Sequence, residues 1–150
     1  MNQYLLDTNI LLRVADVSSE AYFLANEAIN KILINGDNCV ITSQVLIEFW
    51  VVATRPTDVN GLGWSTSQAT DYVNDLLDNF ILITERAEIF THWFQLVKDY
   101  DIKGKRTHDI RLLAVMKSHA LTHLLTFNPH DFIKIPEIII VHPQDIILSS

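Results

Sequence analysis

The chain has 150 residues, 49% of them hydrophobic and 19% charged, which excludes a disordered chain and suits one domain with a buried core. A net charge of -7 argues against a protein that grips nucleic acid over a broad basic face, but it allows acids gathered in one cleft to bind cations. No apolar run reaches the roughly 18 residues needed to cross a bilayer. The first apolar run contains Asp7 and no basic region precedes it, unlike a signal peptide. Cys39 is the only cysteine, so no intrachain disulfide forms and a reducing, cytoplasmic setting is the simplest expectation.

Apolar periodicity alternates between short strand-like runs and longer helical ones. Gln3–Leu6 reads as a first strand that closes at Asp7. Residues 20–34 have helical spacing, with Phe23, Leu24, Ala28, Ile32 and Leu33 as the expected buried side, and Gly36-Asp37-Asn38 signals a stop and turn. Residues 39–41 form a second strand. A helix over Ser43–Thr54 follows and ends at Arg55-Pro56, because the residue before proline avoids the helical region. A polar connection at 57–65 leads to a helix at 67–78 and a strand at 80–84. Residues 86–100 form a helix, Gly104 breaks the chain, and 107–119 form another. The fourth and fifth strands cover 123–127 and 138–141, with Pro143 after the last.

Strands that alternate with helices and are apolar on both faces imply an α/β fold, a parallel sheet inside a three-layer α/β/α sandwich. Ligands of such folds sit at the carboxyl ends of the strands. Asp7 lies at the end of the first strand, and Asn128 and Asp131 lie just past the fourth.

Two further acids stand in apolar surroundings. Glu48 interrupts Val45-Leu46-Ile47-Glu48-Phe49-Trp50-Val51-Val52-Ala53, in which every other residue is apolar. A carboxylate in so apolar a helix is costly unless it binds a cation or pairs with an arginine, such as Arg13 or Arg55. Asp109 heads a second apolar helix, where complementing the helix dipole alone would contribute about 0.3–1 kcal/mol. Asp7 would also serve as the N-cap of a short following helix, with Asn9 placed to hold it by a hydrogen bond. The 6 histidines form no metal-binding spacing, although His108 and His130 neighbour candidate acids. Lys103-Gly104-Lys105-Arg106 is the one dense basic stretch.

Four segments in order carry a resemblance: Leu5-Leu6-Asp7-Thr8-Asn9-Ile10-Leu11; Ser43-Gln44-Val45-Leu46-Ile47-Glu48-Phe49-Trp50 with Ala53-Thr54-Arg55-Pro56; His108-Asp109-Ile110-Arg111-Leu112-Leu113-Ala114; and Leu124-Leu125-Thr126-Phe127-Asn128-Pro129-His130-Asp131-Phe132. Together they resemble the PIN-domain nucleases, and among them the bacterial VapC-type toxins. The resemblance implies a PIN-like fold and an endoribonuclease dependent on Mg2+ or Mn2+, with Asp7, Glu48 and Asp109 as the catalytic and metal-binding acids. Thr8, Asn9, Thr126, Asn128 and Asp131 would support the site, and Lys103, Lys105 and Arg106 would hold the RNA backbone. Many members place an aspartate soon after the fourth strand, where Asn128 stands here, three residues before Asp131. An antitoxin partner and a homodimer are implied as well. A hydrophobic groove involving Phe23, Trp50 and Trp64 would receive an amphipathic partner helix.

Two rivals remain open. A non-catalytic PIN-like module would bind RNA or protein without cutting, and Asn128 is its best support. A phosphatase of the haloacid-dehalogenase type would need a second aspartate two residues after the first, where Asn9 stands. No phosphate-binding glycine loop appears.

Overall fold

A computed structural model describes residues 1–149. The elements run β1 (Gln3–Leu6), α1 (Thr8–Ala15), α2 (Tyr22–Ile34), β2 (Asn38–Thr42), α3 (Ser43–Thr54), α4 (Thr66–Asn79), β3 (Ile81–Ile83), α5 (Glu88–Asp99), α6 (Arg106–Ser118), β4 (His123–Leu125), β5 (Ile139–Val141) and α7 (Pro143–Leu148). All five strands are parallel, in the order β3-β2-β1-β4-β5. In the register, Leu5 of β1 lies between Val40 of β2 and Leu124 of β4, and all three side chains are fully buried. Continuous apolar runs are what strands covered on both faces require. Helices α1, α2, α3, α4 and α7 pack in one connected set, and α5 packs on α6 in another. The result is the three-layer α/β/α fold.

Two helices fall outside the expected pattern. Helix α1 begins directly after β1, capped by the side chain of Asp7, and buries Ile10 and Leu11. Helix α7 begins at Pro143, so that proline opens a helix and does not merely close β5. In α2 the buried stripe is Ala25, Ala28, Ile29 and Ile32, which follows the i, i+3, i+4, i+7 spacing of one helix face. Phe23 (76% exposed) and Leu33 (45%) stand off that stripe, contrary to expectation.

The connection at 57–65 turns back over the end of α3, where Leu62, Gly63 and Trp64 donate backbone N–H bonds to the carbonyls of Val52, Arg55 and Ala53. Gly61 is obligatory here, since a Cβ would lie 1.9 Å from the Arg55 carbonyl oxygen. The turn delivers Trp64 edge-on to Phe49 at 5.9 Å, while Tyr72 of α4 stacks on Phe49 at 5.5 Å. This aromatic cluster locks α3, which carries Glu48, against α4.

Because Leu124 fills the sheet core with no exposure, Leu124→Ala should lower the unfolding free energy by about 2–5 kcal/mol. Urea denaturation measures this, and an unchanged midpoint would mean that β4 is not packed as described.

Candidate active site

Strand order reverses between β1 and β4: the chain leaves β1 toward β2 on one side, and β4 flanks the other. The crevice outside the carboxyl ends at such a point is where open parallel sheets bind ligands. Asp7 and Thr126 are the first residues past β1 and β4. Their backbones extend the ladder, Asp7 N–H donating to Leu125 O and Thr126 N–H to Val141 O, each at 3.0 Å.

Neutral donors hold Asp7 in place. Its Oδ1 accepts from the Thr8 N–H at 2.7 Å, and its Oδ2 accepts from the Thr126 hydroxyl at 2.8 Å. Thr126 is fully buried, and its oxygen accepts in turn from Asn9 Nδ2 and the Asn128 N–H, both at 3.1 Å. Asn9 Oδ1 takes the Phe127 N–H at 3.1 Å. Asn9 thus ties the start of α1 to the end of β4.

Glu48 is half-buried on α3, and both its oxygens are engaged. Thr8 Oγ1 donates to Oε2 at 2.7 Å and Gln44 Nε2 donates to Oε1 at 3.0 Å. No arginine pairs with it; among the described residues the ion pairs are Arg111–Glu85 and Lys117–Glu137. Its helix is also less enclosed than its composition suggests, because Ile47 and Val51 are 64% and 50% exposed. Asp109 lies in the first turn of α6, half-buried, and no hydrogen bond reaches its carboxylate within the described residues.

The charges of neighbouring acids fall on Asp7 and Asp109. Burial, above all, pushes the Asp7 carboxyl up to about 6; the bonds from Thr126 and Thr8 pull it down, and the charges of Glu48 and Asp109 push it up. Burial likewise raises Asp109, followed by the charges of Asp131 and Glu48, against the opposing charges of His108 and Arg106. Asp131 is therefore the acid whose charge falls on Asp109 from past β4, whereas Asn128 contributes its backbone N–H to Thr126. Lys103, Lys105 and Arg106 are exposed on the approach to α6, and His130 is exposed near Asp131.

Four residues at the site were not singled out from the sequence. Gln44 donates to Glu48 and to the His108 carbonyl at 3.0 Å each, and Arg111 Nη1 donates to Gln44 Oε1 at 3.2 Å. Arg111 also pairs with Glu85 at 2.9 Å, and the Ser43 hydroxyl donates to Glu85 at 2.6 Å. The available signal was the four-residue spacing of Gln44 and Glu48, which puts them on one helix face.

The family model described as the PIN domain matches residues 4–138. The chain belongs to the PIN domain family. Its fold is similar to the VapBC2 complex of Rickettsia felis bound to a promoter DNA fragment, with a TM-score of 0.68 and 21% identity over 93% of this chain and 98% of that one. A toxin-antitoxin complex of Klebsiella pneumoniae is similar at a TM-score of 0.65 and 24% identity, over 93% and 97%. VapC20 of Mycobacterium tuberculosis, a sarcin-ricin loop cleaving toxin, is similar at 0.58 and 14% identity, over 81% and 86%. At these identities the likeness is one of fold. No curated protein matches the chain by sequence.

A hard divalent cation suits the donors of this PIN domain, which are carboxylate oxygens that repel one another. No three His, Cys, Asp or Glu side chains among the described residues are grouped so as to hold one ion by themselves. Magnesium commonly binds through one or two carboxylates and keeps several waters; Asp109 accepts no hydrogen bond among the described residues, whereas Asp7 and Glu48 each accept at both oxygens.

The raised Asp7 carboxyl has a measurable consequence. Between its ordinary value of 3.8 and about 6, the folded chain holds a proton that the unfolded chain releases. Stability contributed at low pH is therefore lost as pH rises through that window, by on the order of 3 kcal/mol for a shift of this size. Denaturation of cation-free protein should become easier from pH 4 to 7 in the wild type relative to Asp7→Asn. Parallel pH profiles would contradict the burial and charge balance given for Asp7.

Proposed function

We propose that this PIN domain is a divalent-metal-dependent endoribonuclease and the toxin of a toxin–antitoxin pair acting in the cytoplasm. One observation carries the enzymatic reading: hydrogen bonds through Thr8 and Gln44 link Asp7, Glu48 and the residue before Asp109 at the switch point of the sheet. No lysine or arginine forms an ion pair with any of them among the described residues. Asp7 and Asp109 would hold the cation, Mg2+ or Mn2+. When bound, that cation supplies Lewis acidity toward water and offsets charge on the phosphate. Glu48, fixed by Thr8 and Gln44, orients the attacking water and accepts its proton. Asp131 serves as the fourth acid, and Thr8, Asn9, Thr126 and Asn128 keep the carboxylates in register. Lys103, Lys105 and Arg106 contact backbone phosphates beside α6.

The toxin reading draws on the complexes named above and on an apolar groove of about 410 Å³ lined by Leu46, Ile47, Trp50, Val51 and Val73. A groove of this kind takes an amphipathic helix, here one from an antitoxin. Trp50 belongs to it as expected, but Trp64 is packed on Phe49 and Tyr72, and Phe23 stands on α2 against Tyr22. A homodimer fits the same reading, since α5 leaves Phe90 and Phe94 exposed.

A non-catalytic module is favoured by the absence of a three-residue metal cluster among the described residues. RNA cleavage by purified protein separates the readings. Wild type should cut in Mn2+ and stop in EDTA, and Asp109→Asn should lose about 10²–10³ in rate, the scale of one electrostatic group in an active site. Cleavage that is unchanged in the variant and independent of metal would sink the proposal.

A further inference from the structure

Gln44 occupies a position where chemistry dictates which way its amide faces. The oxygen and nitrogen of a glutamine amide are alike in shape, so only partners tell them apart. Arg111 is donor-only, whereas the Glu48 carboxylate and the His108 carbonyl are acceptor-only. Gln44 Oε1 must therefore face Arg111 (3.2 Å), and its two N–H groups must face Glu48 Oε1 and His108 O (3.0 Å each). The reversed amide would set N–H against guanidinium and oxygen against two acceptors. Arg111 is itself held by Glu85 at 2.9 Å, and Glu85 by Ser43 at 2.6 Å. These groups line a cleft of about 280 Å³ that opens beside Glu48.

We infer that Arg111 and Gln44 are positioning residues for Glu48: Arg111 locks the Gln44 amide, and the amide locks the carboxylate. Thr8 pins the other oxygen at 2.7 Å, so the carboxylate is held from both ends. The same amide spans from α3 to the His108 carbonyl, one residue before Asp109, and so sets the spacing of two acids on different helices. Arg111 does this without neutralising Glu48, because its charge is matched by Glu85. The catalytic consequence rests on the nuclease reading, while the hydrogen-bond lock does not.

The test uses Arg111→Met, which keeps side-chain length and removes every donor. Steady-state RNA cleavage and NMR of the Gln44 side-chain amide are read on the same protein. The expected result is a fall in kcat of about 10–100-fold, the usual loss when the partner orienting a ligand or base is removed, with KM unchanged. The Gln44 amide protons should lose their hydrogen-bonded shifts and exchange protection. Arg111→Lys should restore part of both. Gln44→Leu should lower kcat to a similar degree, and adding Arg111→Met to it should cost nothing more. An unchanged kcat with the Gln44 amide still protected would overturn the inference. So would a raised KM with additive losses, which would make Arg111 a substrate contact. A wild type that cleaves no RNA overturns the nuclease reading instead, and the amide signals alone then decide the lock.

Discussion

A carboxylate buried at the end of the central strand sets the terms for everything around it. β1 is enclosed on both faces, so Asp7, the first residue past its carboxyl end, has little access to water. Removing a charge from water is unfavourable, and the neighbouring acids add repulsion. Hydrogen bonds from Thr8 and Thr126 offset part of this, yet the Asp7 carboxyl remains near 6, well above its ordinary value. The site therefore carries an uncompensated negative charge that a cation would relieve.

The surrounding residues preserve that charge while fixing its geometry. Thr8, Asn9, Thr126 and Gln44 are neutral donors, able to orient carboxylates without cancelling them. An arginine paired directly with Glu48 would have lowered the negative potential of the cleft. Arg111 reaches Glu48 only through Gln44 and is matched by Glu85. Rigid packing supports this arrangement from below. The turn at 57–65 and the Phe49–Trp64–Tyr72 cluster hold α3, and parallel pairing of β1 with β4 holds Asp7 beside Thr126.

Much of the frame was legible in the sequence because parallel strands and amphipathic helices write themselves as apolar periodicity. β1 and α3 coincide with their expected bounds, Gln3–Leu6 and Ser43–Thr54. Helix α1 was less visible: it has eight residues, too few for periodicity to separate it from the strand before it. Its one signal was the capping capacity of Asp7. Phe23 misled because a large apolar residue at a helix start need not share the face of the later stripe. Glu48 drew attention through its apolar neighbours, but its satisfaction by Thr8 depends on contact across forty positions of chain, which no local pattern encodes. Arg111 and Glu85, 26 positions apart, were hidden for the same reason.

The central claim is that Asp7 and Asp109 would hold a divalent cation at the switch point of the sheet. Anomalous diffraction at the manganese absorption edge, from crystals of the wild-type protein equilibrated with Mn2+, tests it directly. A peak at Asp7 and Asp109 is expected. Ordered Asp7 and Asp109 carboxylates with no peak at either, at a manganese concentration that saturates the protein in solution, would contradict it.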